Sequence, residues 1–276
     1  MLSRFPSHVP ESVRSVLGVG EGRLFVGNTS GASVYRVEAA DCGDCFLKVM
    51  HPTPATSLGI EAGMLHWLAG TLPVPEVLAF ETVADGRPGG VVCDYMVTRA
   101  LPGRSAVDVL DDEPLRAARL LAEGLKLIHA VPPDGCPMTY DLARRFDIAH
   151  RRVHERRYSA GDLTRKIESP EKRLARLQKY RPASEDLVFT HGDYALPNVL
   201  LGLSGVSGFV DLAYGGLADR HRDVALAVRS LEHNLSRRGA SWLAIRKAVQ
   251  GFYRWYGPDL IDKALVPYYQ DLDELA

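Results

Sequence analysis

Three oxygen-bearing side chains, Asp193, Asn198 and Asp211, stand at spacings that suit magnesium-assisted phosphoryl transfer to a hydroxyl. Asp193 lies in the run His191-Gly192-Asp193-Tyr194-Ala195-Leu196-Pro197-Asn198, and Asp211 closes the apolar run Gly208-Phe209-Val210. An aspartate so placed can orient an attacking hydroxyl and accept its proton. Asn198 and Asp211 offer the hard oxygens that Mg2+ takes when it bridges nucleotide phosphates. The plainer reading makes the first run a turn and Asp211 a helix cap. Leu187–Thr190 and Val199–Leu201 read as short buried strands, which would hold the polar run as a loop between rigid elements.

Upstream residues bear on the choice. Residues 23–26, 33–37 and 45–50 read as strands joined by Gly-rich turns, the first of which, 27–32, exposes backbone N–H groups able to cover phosphates. Lys48 sits in the apolar strand of this set and either snorkels outward or reaches an anion. Residues 57–70 carry Ile60, Met64, Trp67 and Leu68 at helical spacing, with Glu61 beside that stripe. Glu61 is either a surface group or the partner that holds Lys48 over phosphates.

The rest of the chain supplies a scaffold. Strands are expected at 77–80 and 91–98, and the break at 99–103 places a boundary between a lobe at 1–98 and one at 99–276. A helix over 113–131 stops at Pro132-Pro133, and further helices are expected at 139–158, 170–180, 219–235 and 239–255. A chain of 276 residues with a net charge of −1 has room for two cores and no global pull toward nucleic acid or membrane. There is no long apolar run and no signal-like start, so a cytoplasmic protein is expected. Cys42 and Cys45 form a lone C-x-x-C at a turn, which lacks the second pair that a zinc site needs.

Charge is unevenly spread. Residues 144–181 hold thirteen Lys/Arg against five Asp/Glu, which reads as a solvated helical face. Asp271, Asp273, Glu274 and the terminal carboxylate follow an aromatic stretch that should pack, and so point to a cation site.

Taken together, the mostly β first lobe, the helical second lobe, H-x-D-x-x-x-x-N and the later Asp resemble the protein-kinase-like fold. Within it the chain is similar to the aminoglycoside 3′-phosphotransferases. The likeness runs nearly end to end, through Ser30-Gly31-Ala32, Glu61 to Leu68, Leu127-Ile128-His129, His191 to Asn198, Gly208 to Asp211, Ala218 to Ala227 and Leu272-Asp273-Glu274. It implies a bilobal α+β fold, with a small antiparallel sheet and one main helix in the first lobe. The activity implied is transfer from ATP, with Mg2+, to an aminoglycoside hydroxyl, the 3′ position first, which confers resistance. It makes Asp193 the catalytic aspartate, and Asn198 and Asp211 the metal ligands. Ser30, Lys48 and Glu61 serve the nucleotide phosphates, and backbone near Thr98 and Ala100 serves adenine. Asp223 braces the catalytic loop. Asp162, Arg229, Asp273, Glu274 and the Ala276 carboxylate line the acceptor pocket of a monomer.

Departures fall on the acceptor side. The chain ends Leu275-Ala276 instead of in two aromatics, Tyr214 stands where the family often has Arg, and His150–Arg157 holds one carboxylate, Glu155. A kinase of another small alcohol, a sugar or amino alcohol, is the alternative. A nucleotide-binding pseudokinase would require loss of Lys48, Glu61, Asp193, Asn198 or Asp211, and all are present.

Overall fold

The computed structural model describes residues 9–18, 22–26, 31–40, 43–53, 56–84, 91–155 and 168–276. Two units divide the chain: Met1–Pro102 with Ser207–Ala213, and Gly103–Val206 with Tyr214–Ala276. In the first, α1 (Glu11–Leu17) precedes β1 (Gly22–Val26), β2 (Ala32–Ala40) and β3 (Gly43–Met50). Then α2 (Leu58–Leu68), β4 (Val77–Ala84) and β5 (Val92–Arg99) follow. The strands form one antiparallel sheet in the order β1-β2-β3-β5-β4.

Alternation along β3 decides which side chains meet. Cys45 and Leu47 join Val37, Cys93, Tyr95 and Val97 on one face, where they bury Val9, Val13 and Leu17 at α1. Successive strand residues point to opposite faces. Phe46, Lys48 and Met50 therefore share the other face with Asp94, Met96 and Thr98, opposite them in the ladder. There α2 packs on β4 and β5. Its start is fixed by Asp94, 1% exposed, which accepts the Ser57 hydroxyl (2.7 Å), the Leu58 N–H (3.0 Å) and the Thr82 hydroxyl (2.8 Å). Ser57 in turn accepts the Gly59 N–H (3.0 Å), so the helix begins in a defined register. One turn on, Glu61 faces Lys48.

The second unit opens with β6 (Arg104–Ser105), α3 (Ala106–Asp112), α4 (Pro114–His129), α5 (Leu142–His154) and α6 (Pro170–Lys179). It continues with β7 (Leu187–Thr190), a 3-10 turn at Leu196–Asn198 and β8 (Val199–Leu201). The chain then enters the first unit along β9 (Val206–Phe209), and returns with β10 (Gly216–Asp219), α7 (His221–Arg237), α8 (Trp242–Tyr256) and α9 (Leu265–Asp273). β7 pairs with β10 and β6 with β8, both antiparallel. Pro114 at the first position of α4 suits a helix start, and Leu120, Leu121, Leu125 and Ile128 are buried as it packs on α8 and β7.

The α+β class and the helical second unit are those the sequence implies. Details differ. The first unit runs to Pro102 and takes in Ser207–Ala213, which a cut after residue 98 assigns to the other lobe. The Phe209 N–H donates to the Pro73 carbonyl (2.9 Å) and the Ser207 hydroxyl to that of Pro102 (2.6 Å). Asp219 ends β10 instead of starting a helix, and its carboxylate accepts the His221 N–H (2.8 Å) at the head of α7. The helices α1, α3 and α9 have no counterpart in the sequence reading. Cys45 is buried in the sheet, while Cys42 lies outside the described residues.

Replacing Asp94 by Ala leaves buried donors without an acceptor and should cost about 3 kcal/mol of stability. Urea unfolding measures it; a loss well below 1 kcal/mol (about the size of a surface effect) would remove Asp94 as the anchor of α2.

Candidate active site

The first unit brings three of the expected residues together. The Lys48 ammonium donates to Glu61 Oε1 at 2.7 Å and also pairs with Asp211. Burial works against the charge on Lys48, but Glu61 and Asp211 outweigh it and hold its pKa above the ordinary lysine value. Glu61 is 4% exposed, so the surface reading of it is excluded. Asp211 keeps half of its side chain open and sits at φ +60°. Left-handed backbone is uncommon outside glycine and costs least for Asn and Asp, so this carboxylate is aimed by a strained residue. Thr98 is buried in the ladder, and the Ala100 N–H is donated to the Asp44 carbonyl (2.9 Å), which leaves a carbonyl as what Ala100 can offer an adenine. Ser30 lies outside the described residues.

The second unit builds the loop that carries Asp193. Asn198 turns its amide nitrogen on Asp193, donating to the backbone oxygen (2.9 Å) and to Oδ2 (3.0 Å). Behind the loop, Asp223 has no exposure and accepts the His191 N–H (2.6 Å) on Oδ2 and the Gly192 N–H (2.9 Å) on Oδ1. Arg222 donates to the Gly192 carbonyl (3.1 Å) and the Tyr214 carbonyl (3.2 Å). Gly192 has φ +81°, and a Cβ there would stand 2.0 Å from the Tyr214 oxygen, so no other residue fits. Tyr194 donates its hydroxyl to the Leu121 carbonyl of α4 (2.7 Å), and the Leu196 N–H donates to Ser230 Oγ (3.0 Å).

A further layer fixes Asp223. The Arg220 guanidinium donates to the Tyr256 oxygen (2.9 Å), so that hydroxyl is free to give its proton to His129 Nδ1 (2.7 Å). His129 turns its other ring nitrogen, Nε2, to Asp223 Oδ2 at 3.4 Å. The resemblance makes Asp223 a brace, but nothing in the sequence pairs His129 with Tyr256, 127 positions away, or Tyr256 with Arg220. Asp94 is equally silent in the sequence, because a lone strand aspartate carries no local sign of the helix whose start it holds.

The acidic end is not bare. Asp273 accepts from Arg229 (2.5 Å) and from buried Arg145 (3.4 Å). Glu274 pairs with Arg173, which is 1% exposed, and Asp271 with Arg176 (2.8 Å), which also holds Glu168 (3.0 Å). The basic run at 144–181 is therefore not simply a solvated face: Arg145 and Arg173 are the internal counter-charges of the tail. Ala276 is half-buried, and Asp162 lies outside the described residues. A cavity of about 700 Å³ between α6 and α9 is lined by Glu168, Arg173, Arg176 and Asp271. Asp193 and Asn198 are not among its lining residues.

Residues 24–260 match the model of the phosphotransferase enzyme family. The aminoglycoside 3′-phosphotransferase of Niallia circulans is 34% identical over 271 residues, covering 96% of each chain. That of Streptomyces fradiae is 33% identical over 89% of this chain and 91% of its own. The crystal structure of a type VIII aminoglycoside-3′-phosphotransferase superposes with a TM-score of 0.77 at 33% identity, covering 94% of both chains.

Burial opposes ionisation of Asp223, yet His129, His191 and Arg222 outweigh it and hold its pKa below the ordinary 3.8. A depressed carboxylate contributes stability that is present above its unfolded value and lost as pH falls through its folded one. Asp223→Asn should therefore be the less stable protein at neutral pH, with the gap to wild type closing in acid below pH 3.8. Parallel unfolding curves from neutral pH into strong acid would show that the charge is not what Asp223 contributes.

Proposed function

The chain belongs to the phosphotransferase enzyme family and is an aminoglycoside kinase, and we propose that it moves the γ-phosphoryl group of ATP onto the 3′-hydroxyl of its acceptor. The observation that carries the kinase reading is the Lys48 ammonium, kept charged by Glu61 and Asp211 on the face of the sheet that α2 covers. A lysine so held is a point charge for phosphate oxygens. Ser30 would lie over the same phosphates, and Thr98 and Ala100 would border the adenine.

Asp193 would take the acceptor hydroxyl as a hydrogen-bond donor and set its oxygen toward the γ-phosphorus. That oxygen forms the new P–O bond as the bond to the bridging oxygen breaks. ADP leaves with the bonding electrons, and the hydroxyl proton passes to the Asp193 carboxylate. Asn198 keeps that carboxylate from rotating. Little covalent work is asked of the protein, and most of the rate comes from position.

The donor set suits Mg2+. The amide nitrogen of Asn198 is committed to Asp193, which leaves its oxygen for a cation, and Asp211 adds a half-exposed carboxylate. We assign these two as the protein ligands; the ion's part when bound is to neutralise charge on the β- and γ-phosphates.

For the acceptor, Asp162, Arg229, Asp273, Glu274 and Ala276 remain our assignment. A polycation needs carboxylates, and a phosphate placed on its hydroxyl would disarm the antibiotic and so confer resistance. The arginine partners of Asp273 and Glu274 favour a second reading, a less cationic alcohol, since those acids are already compensated. Among the described residues no helix is long and apolar enough to cross a membrane. We place the enzyme in the cytoplasm, where ATP is, acting as a monomer.

ADP release with Mg2+-ATP, across kanamycin, neomycin and simple amino alcohols, tests the assignment. Asp193→Asn should lower kcat by about a thousandfold with ATP affinity nearly unchanged. Turnover close to wild type in that variant would take the catalytic role away from Asp193, and turnover on amino alcohols alone would select the second reading.

A further inference from the structure

Tyr214 follows directly on the segment that ends the first unit's share of the chain, and its backbone is pressed against the catalytic loop. The Tyr214 carbonyl occupies the space that a side chain on Gly192 would need, one residue before Asp193. Arg222, 3% exposed, ties the two carbonyls together from behind. Arg222 also lies over the Tyr140 ring, 4.9 Å from its centroid, which fixes the guanidinium itself. So the position of Tyr214 relative to Asp193 is set by a buried guanidinium that holds both backbones.

The side chain is treated differently from its surroundings. Leu212 is fully buried, Gly216 and Ala218 are buried, and Tyr194 on the facing loop has no exposure. Tyr214 keeps 46% of its surface open. Large aromatic rings left open beside a reacting group are most useful when something covers them. The charged and titratable neighbours of this ring are Asp193, Arg152, Tyr140 and Arg222. Burial first, and the Asp193 carboxylate next, raise the phenol above its ordinary value. At neutral pH it is therefore an uncharged donor.

We propose that Tyr214 is a specificity-determining residue of the acceptor site, its ring a platform for the apolar face of the sugar whose hydroxyl Asp193 receives. A sugar ring offers C–H groups on its faces and oxygens at its rim. A neutral aromatic beside Asp193 meets both, the ring against the C–H face and the phenol toward a rim oxygen. It adds no positive charge where a cationic acceptor arrives. This inference rests on the aminoglycoside reading above.

The test uses the full-length enzyme and steady-state kinetics with kanamycin and with ATP varied in turn. Wild-type turnover of kanamycin is measured first, and its absence would overturn the acceptor reading and this proposal with it. Given that turnover, Tyr214→Ala should raise the kanamycin KM roughly tenfold, equivalent to about 1.4 kcal/mol, with the ATP KM unchanged. Tyr214→Phe, which keeps the platform, should stay within about threefold of wild type, the size of one neutral hydrogen bond. Equal rises in both KM values, or a kanamycin KM that does not respond to Ala, would overturn the proposal. So would a Phe variant as impaired as the Ala variant, since the ring would then contribute nothing.

Discussion

A carboxylate with no access to water, Asp223, receives two consecutive backbone amides from the loop that presents Asp193. Backbone donors cannot be moved without moving the chain, so this contact fixes the main-chain direction at His191 and Gly192 and thereby where the next side chain points. The cost of burying the charge is offset by the amides together with His129 and Arg222. The surrounding hydrophobic packing follows from it. Tyr194 can hand its hydroxyl to α4, and Leu196 its amide to α7, because the loop they belong to already has a defined path.

The first unit solves a related problem by another route. There the group to be placed is a side chain on a helix, Glu61, and its register depends on where that helix begins. Asp94 sets the beginning, one strand away from Lys48 and on the same face of the sheet. Both units thus use a buried aspartate that does no chemistry to position a group that does. The difference lies in what is captured: backbone amides of a loop in one case, the cap of a helix in the other.

Much of this was legible from the residues. Strands at 187–190 and 199–201 are where the apolar runs put them, because short runs bounded by polar turns have few alternatives. Lys48 in an apolar strand was a local anomaly, and Glu61 beside a helical stripe was its natural complement. What escaped was non-local. The return of Ser207–Ala213 to the first unit leaves no mark in a sequence read from one end. The basic run looked like a wet surface because periodicity reports which residues share a face, not what that face meets. Arg145 and Arg173 fall on buried helix positions whose acids lie far along the chain. The α7 boundary differs for a local reason: Asp219 reads as a helix start, but it closes β10 and only its carboxylate reaches forward to the His221 N–H.

That long-range pairing also bears on how the protein is made. Synthesis runs from the N-terminus at about 5–20 residues per second. Arg145 and Arg173 leave the ribosome well before Asp273 and Glu274, which are separated from them by 128 and 101 positions. Until those acids arrive, closing α5 and α6 would bury two guanidinium groups without counter-charge, which is strongly unfavourable. The packing of α5 and α6 is thus coupled to that of α9, although the chain makes α9 last.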